Sequence, residues 1–542
     1  MKNEDYPFYD ICHVDTIKDL ILTNEEEFTD DIAIKYMKRR RIVNVTYSEL
    51  KKDIDSLGTY FYMKGIKNVR AAILGNNSYE WALCFLTLVC ANNIAVPIDK
   101  GLKAPEIIEV LKETECNVIF YDSIYIDVIK EIQDKVEELN TIINFKNINS
   151  YIIEGKKILG LGKRHFVFKR VKKEETAAIF YTCTISSEMR GIELSHENII
   201  SAALSSSQLT FLGDMTIATI PFHHMFSIVS ELIAPFVQKS IVIIDSEENR
   251  LMEDLRMLQP DSITAVPSTI MDMYKKLYCT IENIRHLKRK MKYIKFLLSH
   301  GIDRRQKLLK YIEEIFGGCL SYIICLGNSI DEYYVEFFRM FGIEVLNGYG
   351  LPETSSIISI NRNEFNSPGS VGQVIPGCEL RISEEGEVLV KGNMVMKGYY
   401  KDEELTRDVF KKGWLKTGDI GYMDSDGFLY IVGRMKNIIL LSNGEMISPS
   451  KIEEYMLGIS AIKQVSIYEK KDKIIAEVFP NYDFLNSKDI TDVGSYIRNE
   501  MKSLNRNLSK SRKIDKVVIR EKEFPKSSFS RINNYKILSM KE

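Results

Sequence analysis

Short apolar runs alternate with amphipathic stretches along most of this chain, and few architectures accept that rhythm. Arg70–Leu74 reads as a strand ending at Gly75-Asn76-Asn77, and Ser78 reads as the cap of a helix that carries Trp81 through Cys90. A strand over Ile94–Pro97, a helix over 105–115 and a strand over 117–121 follow. Buried-strand patterns return at 216–221, 240–244, 263–266, 321–325 and 343–346. Strands joined through helices pair in parallel, with helices on the sheet faces. Two such blocks predict an α/β fold with two pseudo-related parallel-sheet subdomains.

After about Ser367 the pattern changes. Glycines become frequent, and short alternating strands are expected at 379–382, 387–390 and 428–431, the mark of a small antiparallel β subdomain. From Arg434 onward, helices at 451–457 and 489–503 mix with strands at 462–468 and 474–479, which predicts a small α+β C-terminal domain. The expected division is therefore 1–433 and 434–542. A chain of 542 residues needs one, because single cores stop growing beyond ~250–300 residues.

Composition narrows the function. Lys+Arg 73 against Asp+Glu 75 leaves a formal net charge of -2, so no nucleic-acid footprint is expected. The runs Lys38-Arg39-Arg40-Arg41 and Lys288-Arg289-Lys290 read as solvated turn and helix faces. Cysteines are scattered without a C-x-x-C pair or metal-ligand spacing, which suits a reducing cytoplasm. No apolar run follows Met1-Lys2-Asn3, so no secretory leader is expected. The most apolar stretch, 81–91, falls short of the about 20 residues a transmembrane segment needs and reads as a buried helix.

Chemistry enters with Thr417-Gly418-Asp419, followed by Gly427 through Gly433-Arg434. A carboxylate held in a glycine-bounded turn can accept hydrogen bonds from ribose hydroxyls. An arginine a strand away can meet a phosphate or ribose. Alone, the pattern reads rather as two ordinary turns joined by a strand. It is accompanied by Gly386-Glu387-Val388-Leu389-Val390-Lys391-Gly392 with Val395-Met396-Lys397-Gly398-Tyr399-Tyr400, by Asn347-Gly348-Tyr349-Gly350-Leu351-Pro352-Glu353-Thr354, and by Pro221-Phe222-His223-His224.

In this order the motifs resemble the adenylate-forming superfamily: acyl-CoA synthetases, adenylation domains of peptide synthetases, and luciferases. Thr46-Tyr47-Ser48-Glu49-Leu50 and Asn77-Ser78-Tyr79-Glu80-Trp81 look most like bacterial long-chain fatty acid–CoA ligases. The resemblance implies a two-step reaction. A carboxylic acid attacks the α-phosphate of ATP, giving an acyl-adenylate and pyrophosphate; a thiol, usually coenzyme A, then displaces AMP. An acyl carrier protein is the alternative acceptor. The small C-terminal domain rotates between the steps. The resemblance further implies that Glu353 holds Mg²⁺, Tyr349 lies near adenine, Asp419 binds the ribose with Arg434 beside it, Lys436 falls at the hinge, and His224 borders the acyl carboxylate.

The sequence departs from the superfamily at the phosphate loop and the catalytic lysine. The loop pattern T-S-G-T-T-G-x-P-K-G is expected between the strand at 176–181 and the helix start Leu194-Ser195-His196. Here it reads Thr182-Cys183-Thr184-Ile185-Ser186-Ser187-Glu188-Met189-Arg190-Gly191. Thr184 and Ser187 replace glycines, which such loops favour because they reach positive φ and let N–H groups approach phosphate. Thr182, Ser186 and Arg190 remain as phosphate-binding candidates. Pro352 replaces a threonine beside Glu353, and Leu326-Gly327-Asn328 stands where small residues pack on adenine. Near the C-terminus Ser530-Arg531 replaces Gly-Lys, putting Arg531 in the catalytic position. The leading expectation is an ATP-dependent acyl ligase for a fatty or other hydrophobic acid. A non-catalytic or half-active nucleotide- or acyl-binding relative is the alternative, and the fold is the same in both.

Overall fold

The computed structural model describes residues 8–38, 41–183, 189–244, 250–283, 289, 291, 293–294, 296–297, 300, 315–327, 330–440, 446–470, 473–507 and 513–524. Two large sheets dominate. The seven-stranded sheet runs Gly398–Tyr399, Met189–Ser195, Thr176–Cys183, Ile94–Pro97, Arg70–Leu74, Val118–Tyr121, Thr141–Asn144. Its five inner and far strands are parallel, and the two nearest the Gly398 edge are antiparallel. The helix Tyr79–Cys90 has Ser78 accepting the N–H of Trp81 and is buried at every residue but Glu80, as its nearly continuous apolar sequence requires.

The second sheet has nine strands, in the order Gln373–Val374, Ser359–Ile360, Glu344–Tyr349, Tyr322–Cys325, Ser262–Ala265, Met215–Ala218, Ile241–Ile244, Ile32–Lys38, Arg41–Thr46. Its inner strands are parallel. The sequence reading held its predicted members but assigned no place to the N-terminal hairpin Ile32–Lys38/Arg41–Thr46, which closes one edge. A five-stranded antiparallel sheet follows, built from Cys378–Ile382, Glu387–Gly392, Trp414–Met423, Phe410–Lys411 and Leu429–Arg434.

Beyond Arg434, Ile462–Lys470 and Lys473–Pro480 pair antiparallel, and Lys516–Ile519 adds in parallel. With the helices Pro449–Leu457 and Val493–Asn507 they enclose a separate apolar core around Met456, Val465, Val478 and Ile497. The last helix starts later than expected. Asp489 has φ +53°, a left-handed conformation that cannot join a right-handed helix. No helix among the described residues is long and apolar enough to cross a membrane.

Candidate active site

Asp419 was expected in a turn. It lies instead within the strand Trp414–Met423, directly opposite Arg434 on Leu429–Arg434. The register shifts just beyond it, between Ile420 and Gly421, and Gly418 takes φ +71°, which favours glycine. Both carboxylate oxygens are engaged. Arg434 Nε lies 2.9 Å from Oδ1, and the Tyr349 hydroxyl donates to Oδ2 at 2.6 Å. Arg434 also donates to the Thr417 carbonyl, and Gly418 N–H donates to Glu387. Asp419 is buried, and burial raises its pKa against the opposing pull of Arg434 and the Tyr349 hydroxyl. Burial and the neighbouring Asp419 push the Tyr349 phenol well above its usual value, so it stays a donor.

Glu353 sits on the single turn Pro352–Thr354, at the end of Glu344–Tyr349. The turn is tightly specified. Ser355 and Ser356 both take positive φ, +50° and +80°. Buried Ser355 donates to the Met394 carbonyl, and Gly350 leaves no room for a side chain, since a Cβ there would meet the Ser356 carbonyl oxygen at 2.2 Å. Strained backbone held this firmly is typical of functional turns. Pro352 opens the turn with a φ already suited to it. The Tyr399 hydroxyl donates to Glu353 Oε1 at 2.9 Å, and Met396 N–H donates to the Glu353 carbonyl at 2.8 Å. Tyr399 in turn pairs with Ile192 on the strand that leaves the phosphate loop. Burial and Glu353 raise its phenol pKa, while Arg190 and Arg434 act against the shift, which puts both guanidinium groups within electrostatic reach.

The phosphate-loop region differs from the expected strand–loop–helix. Met189–Ser195 is itself a strand, antiparallel to Thr176–Cys183, with Thr182 opposite Arg190. The helix His196–Leu209 follows at the expected place, capped by Ser195. Arg190 is therefore a strand residue rather than a loop residue. Ser186, with Thr184, Ile185 and Ser187, lies outside the described residues, as do Asn328, Ser530 and Arg531. Lys436 is exposed on the turn Met435–Asn437 directly after Arg434.

His224 occupies a different loop. It is exposed, at the start of the short helix Met225–Ser227, with its ring centroid 4.3 Å from that of His223. His223 is buried, its Nε2 3.2 Å from Asp99. The carboxylate favours a charged imidazole, but burial, His224 and Lys100 together push His223 well below its usual pKa, so Nε2 donates as a neutral ring. The loop itself is pinned from two sides. Asn77 donates to the Ile220 carbonyl and accepts from Phe222 N–H. Fully buried Glu231 accepts the N–H groups of Thr219 and Ile220 and the Ser227 hydroxyl. Sequence reasoning missed Tyr399, Glu387, Asp99, Asn77 and Glu231. Tyr399, Glu387 and Asn77 lay inside motifs singled out beforehand, with no role assigned to them.

One group of side chains thus converges from the three largest sheets: Tyr349 and, on the turn beyond its strand, Glu353 from the second, Arg190 and Tyr399 from the first, Asp419 and Arg434 from the third. The AMP-binding enzyme profile matches residues 23–400, well over half of the chain. The chain belongs to the AMP-binding enzyme family. Among curated relatives of this AMP-binding enzyme, the long-chain-fatty-acid–CoA ligase FadD15 of Mycobacterium bovis is 24% identical over 483 residues, covering 84% of this chain and 80% of that protein. Long chain acyl-CoA synthetase 3 of Arabidopsis thaliana is 25% identical over 511 residues, covering 85% and 76%. The fold matches the anthranilate CoA ligase AuaEII in complex with anthranoyl-AMP at a TM-score of 0.77 and 18% identity, over 100% of this chain and 99% of that one. It also matches o-succinylbenzoate coenzyme A synthetase from Bacillus subtilis in complex with ATP and magnesium at 0.71 and 20%, over 96% and 99%. The adenylate-forming architecture, a large N-terminal and a small C-terminal part, is shared across these chains.

In this AMP-binding enzyme the donor set suits a hard cation carried by a nucleotide. Tyr399 occupies Glu353 Oε1, and the carboxylate's other oxygen suits Mg²⁺, which prefers oxygen ligands and takes most of them from phosphate and water. Among the described residues, no three metal-ligating side chains converge into a cage of their own.

Proposed function

We propose that the chain is an ATP-dependent ligase that converts a fatty or other hydrophobic carboxylic acid to its acyl-adenylate and passes the acyl group to a thiol, coenzyme A. The observation that carries this reading is the pair of tyrosine-held carboxylates, Asp419 with Tyr349 and Glu353 with Tyr399, flanked by Arg434 and Arg190. Its substrate class rests on the relatives, named as a long-chain-fatty-acid–CoA ligase and a long chain acyl-CoA synthetase, which this chain matches over most of their length.

In this reading Asp419 accepts hydrogen bonds from the ribose, and Arg434 holds its carboxylate in register. Tyr349 stacks near the adenine while its hydroxyl keeps Asp419 turned toward the sugar. Thr182, Ser186 and Arg190 meet the phosphates. Glu353 would hold Mg²⁺, which would supply positive charge to offset that of the departing pyrophosphate. Arg531 supplies the remaining positive charge at the α-phosphate during adenylation, and residues 434–542 turn about Lys436 before the thiol step. His224 borders the acid's carboxylate, steadied by its tilted ring contact with His223. An acyl carrier protein remains the alternative acceptor.

The test is acid-dependent formation of AMP and acyl-CoA from ATP, Mg²⁺ and coenzyme A across short, medium and long acids. The expected result is turnover with long apolar acids. Turnover with none of them, or equal turnover without acid, overturns the reading.

A further inference from the structure

Between the helix Ile148–Gly160 and the strand Thr176–Cys183 runs a connection of unusual chemistry. From Lys156 to Lys173 the chain carries eight Lys or Arg and no Asp or Glu, in a protein whose formal net charge is -2. The same segment displays Leu161, 79% exposed, and Phe168, 73% exposed, the two most exposed large apolar side chains among the described residues.

The connection is firmly built. Phe166 is buried in the core, its ring filling the space that Gly58 leaves by lacking a side chain. Lys18 donates to the carbonyls of Phe166, Val167 and Lys169. The Phe168 N–H closes a turn onto the Arg164 carbonyl, and Gly162 takes φ +80° just after Leu161. The exposed apolar groups are therefore presented by an anchored frame. Of the cations, Lys156 pairs with Asp53 and Lys173 with Glu197. Lys157, Lys163, Arg164, Arg170 and Lys172 form no ion pair among the described residues. Lys64 and Lys67 lie over the rings of Tyr60 and Tyr62, and Tyr62 packs against His165, adding positive charge beside the segment.

We propose that this face docks the protein on an anionic lipid bilayer. Unpaired lysines and arginines match the negative potential of acidic headgroups, and the effect is worth about fivefold in affinity per cation near such a surface. Leucine and phenylalanine between the cations match the acyl boundary below the headgroups, while lysine stems span the two. A polyanion such as RNA satisfies the charge alone and leaves Leu161 and Phe168 in water. The proposal is independent of which acid the enzyme activates.

Co-sedimentation of the full chain with phosphatidylglycerol/phosphatidylcholine vesicles tests it. The wild type is expected to bind them in a salt-sensitive way and to leave pure phosphatidylcholine vesicles unbound. Lys163→Gln with Arg164→Gln should weaken binding on the order of 25-fold, two cations at about fivefold each. Leu161→Ser with Phe168→Ser should weaken it about tenfold or more even at low salt. All four side chains are exposed, so unchanged thermal melting checks that both variants fold. Absence of vesicle binding by wild type overturns the proposal. So does binding that neither variant weakens, or RNA binding as tight as vesicle binding and indifferent to loss of Leu161 and Phe168.

Discussion

Asp419 is a buried carboxylate already held at both oxygens, by Arg434 and by Tyr349. Its assigned role therefore depends on two neighbours as well as on itself. Asp419→Ala should weaken ATP and AMP binding by about 1.5–3 kcal/mol, roughly ten- to hundredfold in Kd, since a hydrogen bond to charge is lost. Calorimetry on both proteins reads this, and equal affinities would remove the residue from the nucleotide site. Tyr399 makes a second prediction. Tyr399→Phe leaves Glu353 unheld at Oε1. Binding of ATP with Mg²⁺ should fall roughly ten- to hundredfold, the worth of one hydrogen bond to a charge, while binding in the presence of a chelator should not change. Loss of affinity in both conditions would mean that Tyr399 acts on the fold and not on the metal ligand. The carboxylates and arginines of this site were legible from sequence because their motifs are local. Tyr349 was legible with them, but Tyr399 was not, because it meets Glu353 through the edge strand Gly398–Tyr399, which pairs with Met189–Ser195. Arg190 was legible as a charge and misplaced as a loop residue, since the substituted loop gives no sign that Met189–Ser195 continues the sheet.

At the scale of elements, the short π-helical segment Ile228–Ile233 places Glu231 beneath the histidine loop. Such segments recur at functional sites because the extra residue re-aims a side chain. Burial lifts the Glu231 carboxyl to about 8, even though the N–H groups of Thr219 and Ile220 and the Ser227 hydroxyl favour its charge. The folded chain then holds a proton that the unfolded chain has lost between the ordinary carboxyl range and about pH 8. Unfolding releases that proton, so stability falls as pH rises through this window, by on the order of a few kcal/mol. Glu231→Gln keeps an oxygen for the two N–H groups and offers an amide to Ser227. It should flatten the slope, and its advantage over wild type in denaturant midpoint should grow toward alkaline pH. Parallel slopes for both proteins would show that Glu231 is not the titrating group. The parallel strands and the helix Tyr79–Cys90 were readable because burial on both faces leaves near-continuous apolar runs. The edge hairpin Ile32–Lys38/Arg41–Thr46 was not, since its strands are half exposed and carry Lys35, Lys38 and Arg41.

For the whole molecule, the family and the separate C-terminal core frame one reaction in two steps, and on the proposed reading the substituted Ser530-Arg531 bears on the first. A guanidinium is a wider, planar head than the lysine ammonium of the superfamily pattern. Ser530→Gly with Arg531→Lys should raise adenylation, on the order of tenfold or more by the usual worth of one preorganised charge, and leave thioester formation from supplied acyl-adenylate unchanged. A fall in adenylation would make Arg531 an adapted residue of this enzyme. The central claim, that the converged carboxylates and arginines form a working adenylation site, is measured most directly by acid-dependent exchange of labelled pyrophosphate into ATP. That exchange needs no thiol acceptor. Wild type should show exchange with long apolar acids that requires Mg²⁺ and falls at least a hundredfold in Glu353→Gln. Exchange absent with every acid, or unchanged in Glu353→Gln, would contradict it.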